Sequence, residues 1–157
     1  GYAVGTIQSS AMPHDPKITD KTRLLPLQTM PTIGDRLSEK NISWAYYAGG
    51  FDDAIAGHPD KLFQFHHQPF AYFAQFAEGT KARAEHLKDG KDFEQAIAAG
   101  TLPAVAFYKP IGELTQHPGY GEIKAGDQHA AGLFDFPEAH QPPQNRHVLA
   151  HHADVAP

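Results

Sequence analysis

Twice along this 157-residue chain a stretch with helix signals runs into a short apolar, aromatic-rich stretch, and this alternation restricts the fold more than any other feature. In the first instance Thr32 can cap a helix with Asp35 three residues on, Ile33 and Leu37 share a face, and Asn41 ends it, which predicts a helix over 33–40. Ile42-Ser43-Trp44-Ala45-Tyr46-Tyr47 then reads as a strand closed by Gly49-Gly50. In the second instance Asp92 and Gln95 suggest a capping box for a helix through Ala99, stopped by Gly100. Leu102 to Tyr108 follows as a buried strand, with Pro103 at its start and Pro110 beyond its end. A helix that feeds a strand through so short a turn is the repeating unit of a parallel sheet, so the expected class is α/β, a sheet flanked by helices.

The rest of the chain is loop-rich, in keeping with 13 Pro and 14 Gly. Residues 1–31, with Pro13, Pro16, Pro26 and Pro31, predict a long extended segment. The stretch 51–79 concentrates Phe63, Phe65, Phe70, Tyr72, Phe73 and Phe76, the composition of a packed subdomain or cleft wall. Residues 81–88 read as a short polar helix, and 111–129, broken by Pro118, Gly119, Gly121 and Gly126, as a loop beyond a strand end, where active-site loops of open α/β sheets emerge. From Ala130 onward Pro137, Pro142, Pro143 and four His appear without a period, which predicts an irregular tail. The expected organisation is a domain over 1–129 and a tail over 130–157. The chain opens without Met or a signal-peptide pattern, which fits an internal segment of a longer protein.

Charge and composition remove several classes of partner. A net charge of −5 without a Lys/Arg cluster provides no electrostatic footprint for nucleic acid or an anionic membrane surface. No run approaches the roughly 20 apolar residues that span a bilayer, so stable membrane insertion is not expected. Without Cys there is neither a disulfide framework nor a thiolate metal site.

The 11 His are the compositional outlier. In Phe65-His66-His67-Gln68-Pro69-Phe70 two adjacent imidazoles sit between aromatic residues; in an extended segment they would point to opposite sides, one of them toward the aromatic wall. The competing reading is a surface turn with both rings bonded to backbone. Gly126-Asp127-Gln128-His129 offers a tight turn after which Asp127 and His129 would face one side, able to contact phosphoryl oxygens, hold a metal or pass a proton; the competing reading is a solvated turn. His117-Pro118-Gly119-Tyr120 is a weaker candidate. His140, His147, His151 and His152 suggest metal binding, with His147 and His151 at helical ligand spacing, but no amphipathic helix or acidic support accompanies them. No Gly-rich phosphate loop, Gly-x-Ser-x-Gly or His-Glu-x-x-His is present, and no Ser stands in a turn beside these histidines.

Taken in order, Pro31 to Leu37, Ile42 to Gly50, Phe65 to Phe70, Ala84 to Asp89, Gly100 to Pro110, His117 to Tyr120 and Gly126 to His129 resemble bacterial phosphoesterases of the acid phosphatase and phospholipase C family, a series covering about 2–129. The resemblance implies a partial alkaline-phosphatase-like α/β sheet and hydrolysis of phosphoric esters by a hydroxyl nucleophile assisted by a divalent metal ion. It implies a periplasmic or secreted enzyme acting on a small phosphate ester or a phospholipid head group. By the same resemblance His66, His67 and His129 belong to the catalytic phosphate pocket, with Asp127 beside them as a substrate-binding residue. The family's early Glu-Asn metal pair, its nucleophile and its late acidic pair find no counterpart, so no metal ligands are assigned in this chain. The Pro- and His-rich residues past His129 depart from the helix and apolar strand that the family pattern calls for, which fits a truncated or frame-shifted reading. The expectation is an acid phosphatase-like segment without its own nucleophile, inactive alone. The alternatives are a phospholipase C-type phosphodiesterase and a non-catalytic His-rich metal-binding protein.

Overall fold

A computed structural model of the chain describes residues 7–134 and 147–150. Its centre is a parallel sheet in the order β2-β1-β3-β4, with β1 at Trp44–Ala48, β2 at Leu87–Asp89, β3 at Val105–Lys109 and β4 at His147–Ala150. Tyr46 of β1 lies opposite Leu87 on one side and Phe107 on the other, and Val105 lies opposite His147. The helices are α1 (Ile33–Glu39), α2 (Phe51–Ile55), α3 (Lys81–His86), α4 (Gly90–Ala98) and α5 (Ile123–Phe134). The chain is therefore α/β, as the helix-to-strand alternation predicts.

Successive strand residues point to opposite faces, and both faces of the central strands are covered, which is why β1 is buried throughout. Trp44, Tyr46, Ala48, Leu87 and Phe107 form one face with Phe51, Phe70, Ala71 and Phe76, joined by Leu37 of α1 and Ala82 of α3. Ala45, Tyr47, Ala106 and Tyr108 form the other with Phe93 and Ile97 of α4, joined by Leu133 of α5. Each large apolar side chain so enclosed contributes about 1.5–3 kcal/mol relative to exposure.

Trp44 organises the first face. Its indole stacks on His86 at 4.1 Å and 5°, lies 4.9 Å from the Phe70 ring, and donates through Nε1 to Ser38 Oγ at 2.9 Å. A methyl group at Gly34 would fall on that indole, so α1 approaches the sheet only because residue 34 lacks a side chain. The expected capping box of α1 forms: Asp35 N donates to Thr32 Oγ1 at 3.3 Å and Thr32 N to Asp35 Oδ2 at 2.5 Å.

The connections cross the sheet with a consistent hand. From β1 to β2 the chain moves one way over the Trp44 face, and from β2 to β3 through α4 it moves the other way over the Tyr108 face, on which α5 also packs after β3. Opposite directions on opposite faces give crossovers of the same hand.

Several expectations need correction. The box opening α4 is made by Asp89 with Asp92, not Asp92 with Gln95: Lys91 N donates to Asp89 Oδ1 and Asp89 N to Asp92 Oδ2, both at 3.0 Å. β2 escapes the strand pattern because it has three residues, follows α3 directly and contains nothing β-branched. Residues 123–134, expected as loop and then tail, form α5. Of the remaining tail, 147–150 pair with β3 as β4, and 135–146 and 151–157 lie outside the described residues. Residues 7–31 of the opening segment are irregular, with a 3-10 turn at Lys21–Arg23 and a bridge that brings Ser9 beside Leu25, and Arg83 ties the segment to the aromatic stretch by donating to Phe76 O at 3.1 Å and Met12 O at 2.7 Å.

Candidate functional site

His66 and His67 stand at the end of a 3-10 turn, Phe65–His67, and not in an extended segment. His67 N donates to Gln64 O at 2.8 Å, and the compact turn sets the two rings edge to face with centroids 4.8 Å apart. His67 is buried and His66 half-buried. The next turn, Pro69–Tyr72, buries Phe70 and Ala71 against the Trp44 face, which ties the histidine pair to that side of the sheet. Phe63, 5.4 Å from the Phe65 ring, lies beside Gly50 just past β1, whereas Phe70 and Phe76 are buried in the core around Trp44.

His129 is held from the other face. In an α-helix residues three or four apart share a side, and Gly126, His129 and Leu133 follow that rule along α5. Leu133 packs against the Tyr108 face; a methyl at Gly126 would meet the Gln116 side chain and, at 2.8 Å, Leu114 O. The glycine read as a turn former instead permits close packing of the helix on the chain before it. His129 Nε2 lies 2.8 Å from Tyr108 Oη. Burial, joined by the nearby Glu94 and Asp89 carboxylates, pushes the Tyr108 phenol upward, so it stays protonated. Asp127 is exposed on the far side of α5: two residues at about 100° each turn it away from His129, so the shared face expected for this pair does not form.

The structure therefore joins His66 to His67 and His129 to Tyr108, on opposite faces of the sheet. These faces meet at the strand ends. The segment with His66 and His67 leaves β1 over one face, the segment with His129 leaves β3 over the other, and β1 and β3 are neighbours. That divergence is a topological switch point, the place where open α/β sheets receive ligands. The backbone closes its floor: Gly49 N donates to Lys109 O at 2.9 Å, and a side chain at Gly49 would run into the backbone of Ile111.

Three residues near these ends escaped the sequence reading. Tyr108 could have been flagged, because a tyrosine inside a buried strand needs a partner for its hydroxyl. Lys109, 6% exposed, ends an otherwise apolar run on the face of Phe107, and a charge there is an equally readable anomaly. Gln68, at 0% exposure, has neither amide atom in a hydrogen bond, and its sequence context carried no signal.

Among the described residues no three His, Asp or Glu side chains gather as a metal site. The strand-end carboxylates are otherwise engaged: Asp89 accepts from Asp52 N and Lys91 N, and Asp52 pairs with Lys91 Nζ at 2.6 Å. These residues do not make the donor set of the implied divalent ion. Of the weaker candidates, His117 stacks on Tyr120 at 4.4 Å and donates through Nδ1 to Pro118 O at 2.7 Å. His147 opens β4, so helical ligand spacing does not apply to it, while His140, His151 and His152 lie outside the described residues.

No curated protein and no solved structure matches the chain. The model of the Phosphoesterase family matches residues 3–149, past His129 and into β4. With nearly the whole chain inside that match, the protein belongs to the Phosphoesterase family, which hydrolyses phosphoric esters.

Proposed function

We propose that this chain supplies the phosphate-contacting part of an acid phosphatase-like phosphomonoesterase, in which His66, His67 and His129 surround the phosphoryl group of a small phosphate ester. One observation supports the reading: the two histidine-bearing segments leave adjacent parallel strands over opposite faces, the topology at whose switch point open α/β sheets receive ligands. Imidazole N–H groups there donate to phosphoryl oxygens whose charge grows toward the transition state, and a protonated imidazole can pass its proton to the departing oxygen. Site and substrate lie outside the cytoplasm in this reading, in the periplasm or after secretion. The divalent ion implied by the family resemblance would supply charge neutralisation from ligands other than the described residues.

Positioned donors without nucleophile or metal supply part of the transition-state stabilisation, so this chain alone turns over p-nitrophenyl phosphate barely above background while still binding inorganic phosphate. The test is a phosphate titration of the histidine ring signals by NMR. Joint movement of His66, His67 and His129, weakened by alanine at any one of them, is expected; movement of the pair without His129 would dismantle the shared pocket. Phosphocholine competing better than phosphate would favour the phospholipase C-type reading. Tight zinc binding lost on deletion of residues 140–152, with no response to phosphate, would favour the metal-binding one.

A further inference from the structure

We propose that Tyr108 is a positioning residue that fixes the tautomer of His129, so that this imidazole presents Nδ1–H, and not Nε2–H, to a phosphoryl oxygen. The presentation to phosphate rests on the reading of His129 as a pocket residue given above; the tautomer does not.

The geometry begins with the phenol. Tyr108 is 7% exposed and its ring stacks on Phe93 at 4.3 Å and 14°, so Oη has one position. That position is 2.8 Å from His129 Nε2, an ordinary hydrogen-bond length, on a helix seated by Gly126 and Leu133. A buried hydroxyl that keeps its proton needs an acceptor, and His129 Nε2 is the ring nitrogen within reach; donation to it requires that nitrogen to be unprotonated, so the one proton of a neutral imidazole resides on Nδ1. If the imidazole gains a second proton, Nε2–H donates back to Oη, which accepts as readily as it donates. In both states Nδ1 carries hydrogen.

This arrangement divides labour among the three histidines. His129 is a donor whose Nδ1–H persists as its own charge changes, useful where phosphoryl oxygens must be held at acid and neutral pH alike. Its Nε2 is occupied and cannot accept a proton from a nucleophile or water without reversing the Tyr108 bond. Proton delivery to the leaving oxygen is left to the His66–His67 pair, because a proton given up from Nδ1 of a cationic His129 would leave the Nε2–H tautomer that the bond from Tyr108 disfavours.

The experiment is long-range proton–nitrogen correlation NMR on the full chain with 15N-labelled histidine, at neutral pH, with and without inorganic phosphate. Expected are an unprotonated Nε2 and a protonated Nδ1 for His129, a shift toward Nε2–H in Tyr108→Phe, and phosphate affinity lowered roughly 2- to 10-fold in that variant. Phe keeps the stack on Phe93 and removes only the hydroxyl; should the variant fail to fold, the wild-type tautomer decides alone. Nε2–H in the wild-type chain, or the same tautomer in Tyr108→Phe, overturns the proposal. A Tyr108-dependent Nδ1–H tautomer that phosphate leaves unmoved overturns the pocket assignment and leaves the hold of Tyr108 on the ring standing.

Discussion

Asp89 Oδ2 accepts the backbone N–H of Asp52 at 2.9 Å, so the end of β2 is tied to the start of α2, beside the strand ends from which both histidine-bearing segments depart. Its other oxygen caps α4 through Lys91 N. A single buried carboxylate thus holds two helix beginnings. Asp89→Ala removes both bonds and leaves two donors to find water, an expected loss of about 1–3 kcal/mol. Urea unfolding measures it; a loss below about 0.5 kcal/mol would mean that the carboxylate is dispensable.

Two glycines of α5 make opposite predictions. A methyl at Gly126 would strike the Gln116 side chain and Leu114 O, so Gly126→Ala is expected to cost about 1–3 kcal/mol and to lengthen the Tyr108–His129 contact. Gly132 has nothing within 4 Å of its would-be methyl, and Gly132→Ala is expected to gain up to about 1 kcal/mol from helix propensity. Thermal melts of both variants check the pair. Equal shifts in one direction would refute the packing account of Gly126.

Gly34→Ala should be among the most damaging small substitutions in the chain. Its methyl falls on the Trp44 indole, which is pinned by His86, Phe70 and Ser38 and has no free direction in which to yield. Loss of about 1–3 kcal/mol and a changed tryptophan emission maximum are expected.

Gln68 is enclosed with both amide atoms outside any hydrogen bond, an arrangement that costs free energy relative to an apolar side chain of similar shape. Gln68→Met is accordingly expected to be neutral or stabilising in chemical denaturation. A clear destabilisation would show that the amide is engaged in solution.

Acid should loosen α1 first at its N-terminus. Burial works against the charge on Asp35, but hydrogen bonds from Thr32 and Gln75 outweigh it and hold the carboxyl below its ordinary value. A depressed folded-state value means stability that is present above the unfolded value of roughly 4 and is lost as pH falls through the folded one. Wild-type stability should therefore drop below about pH 4 more steeply than that of Asp35→Asn, read from unfolding midpoints across pH.

What the sequence determined by itself is what depends on neighbours along the chain. The capping box of α1, the apolar runs of β1 and β3 and the α/β alternation are local, set by side chains within a few positions of one another, and the ordered motifs from Pro31 to His129 pointed to a family whose match spans 3–149. Tertiary packing alone decided the rest. Leu87-Lys88-Asp89 is a strand only because β1 offers it an edge, and Gly126 lies in a helix seated so closely on Leu114 and Gln116 that no side chain fits there. Asp127 and His129 part company for the same reason: two residues along a strand share a side, whereas two along a helix are nearly opposed. The meeting of Tyr108 with His129 joins positions 21 residues apart, through β3 and α5 docked on one face, and no local pattern encodes such a contact.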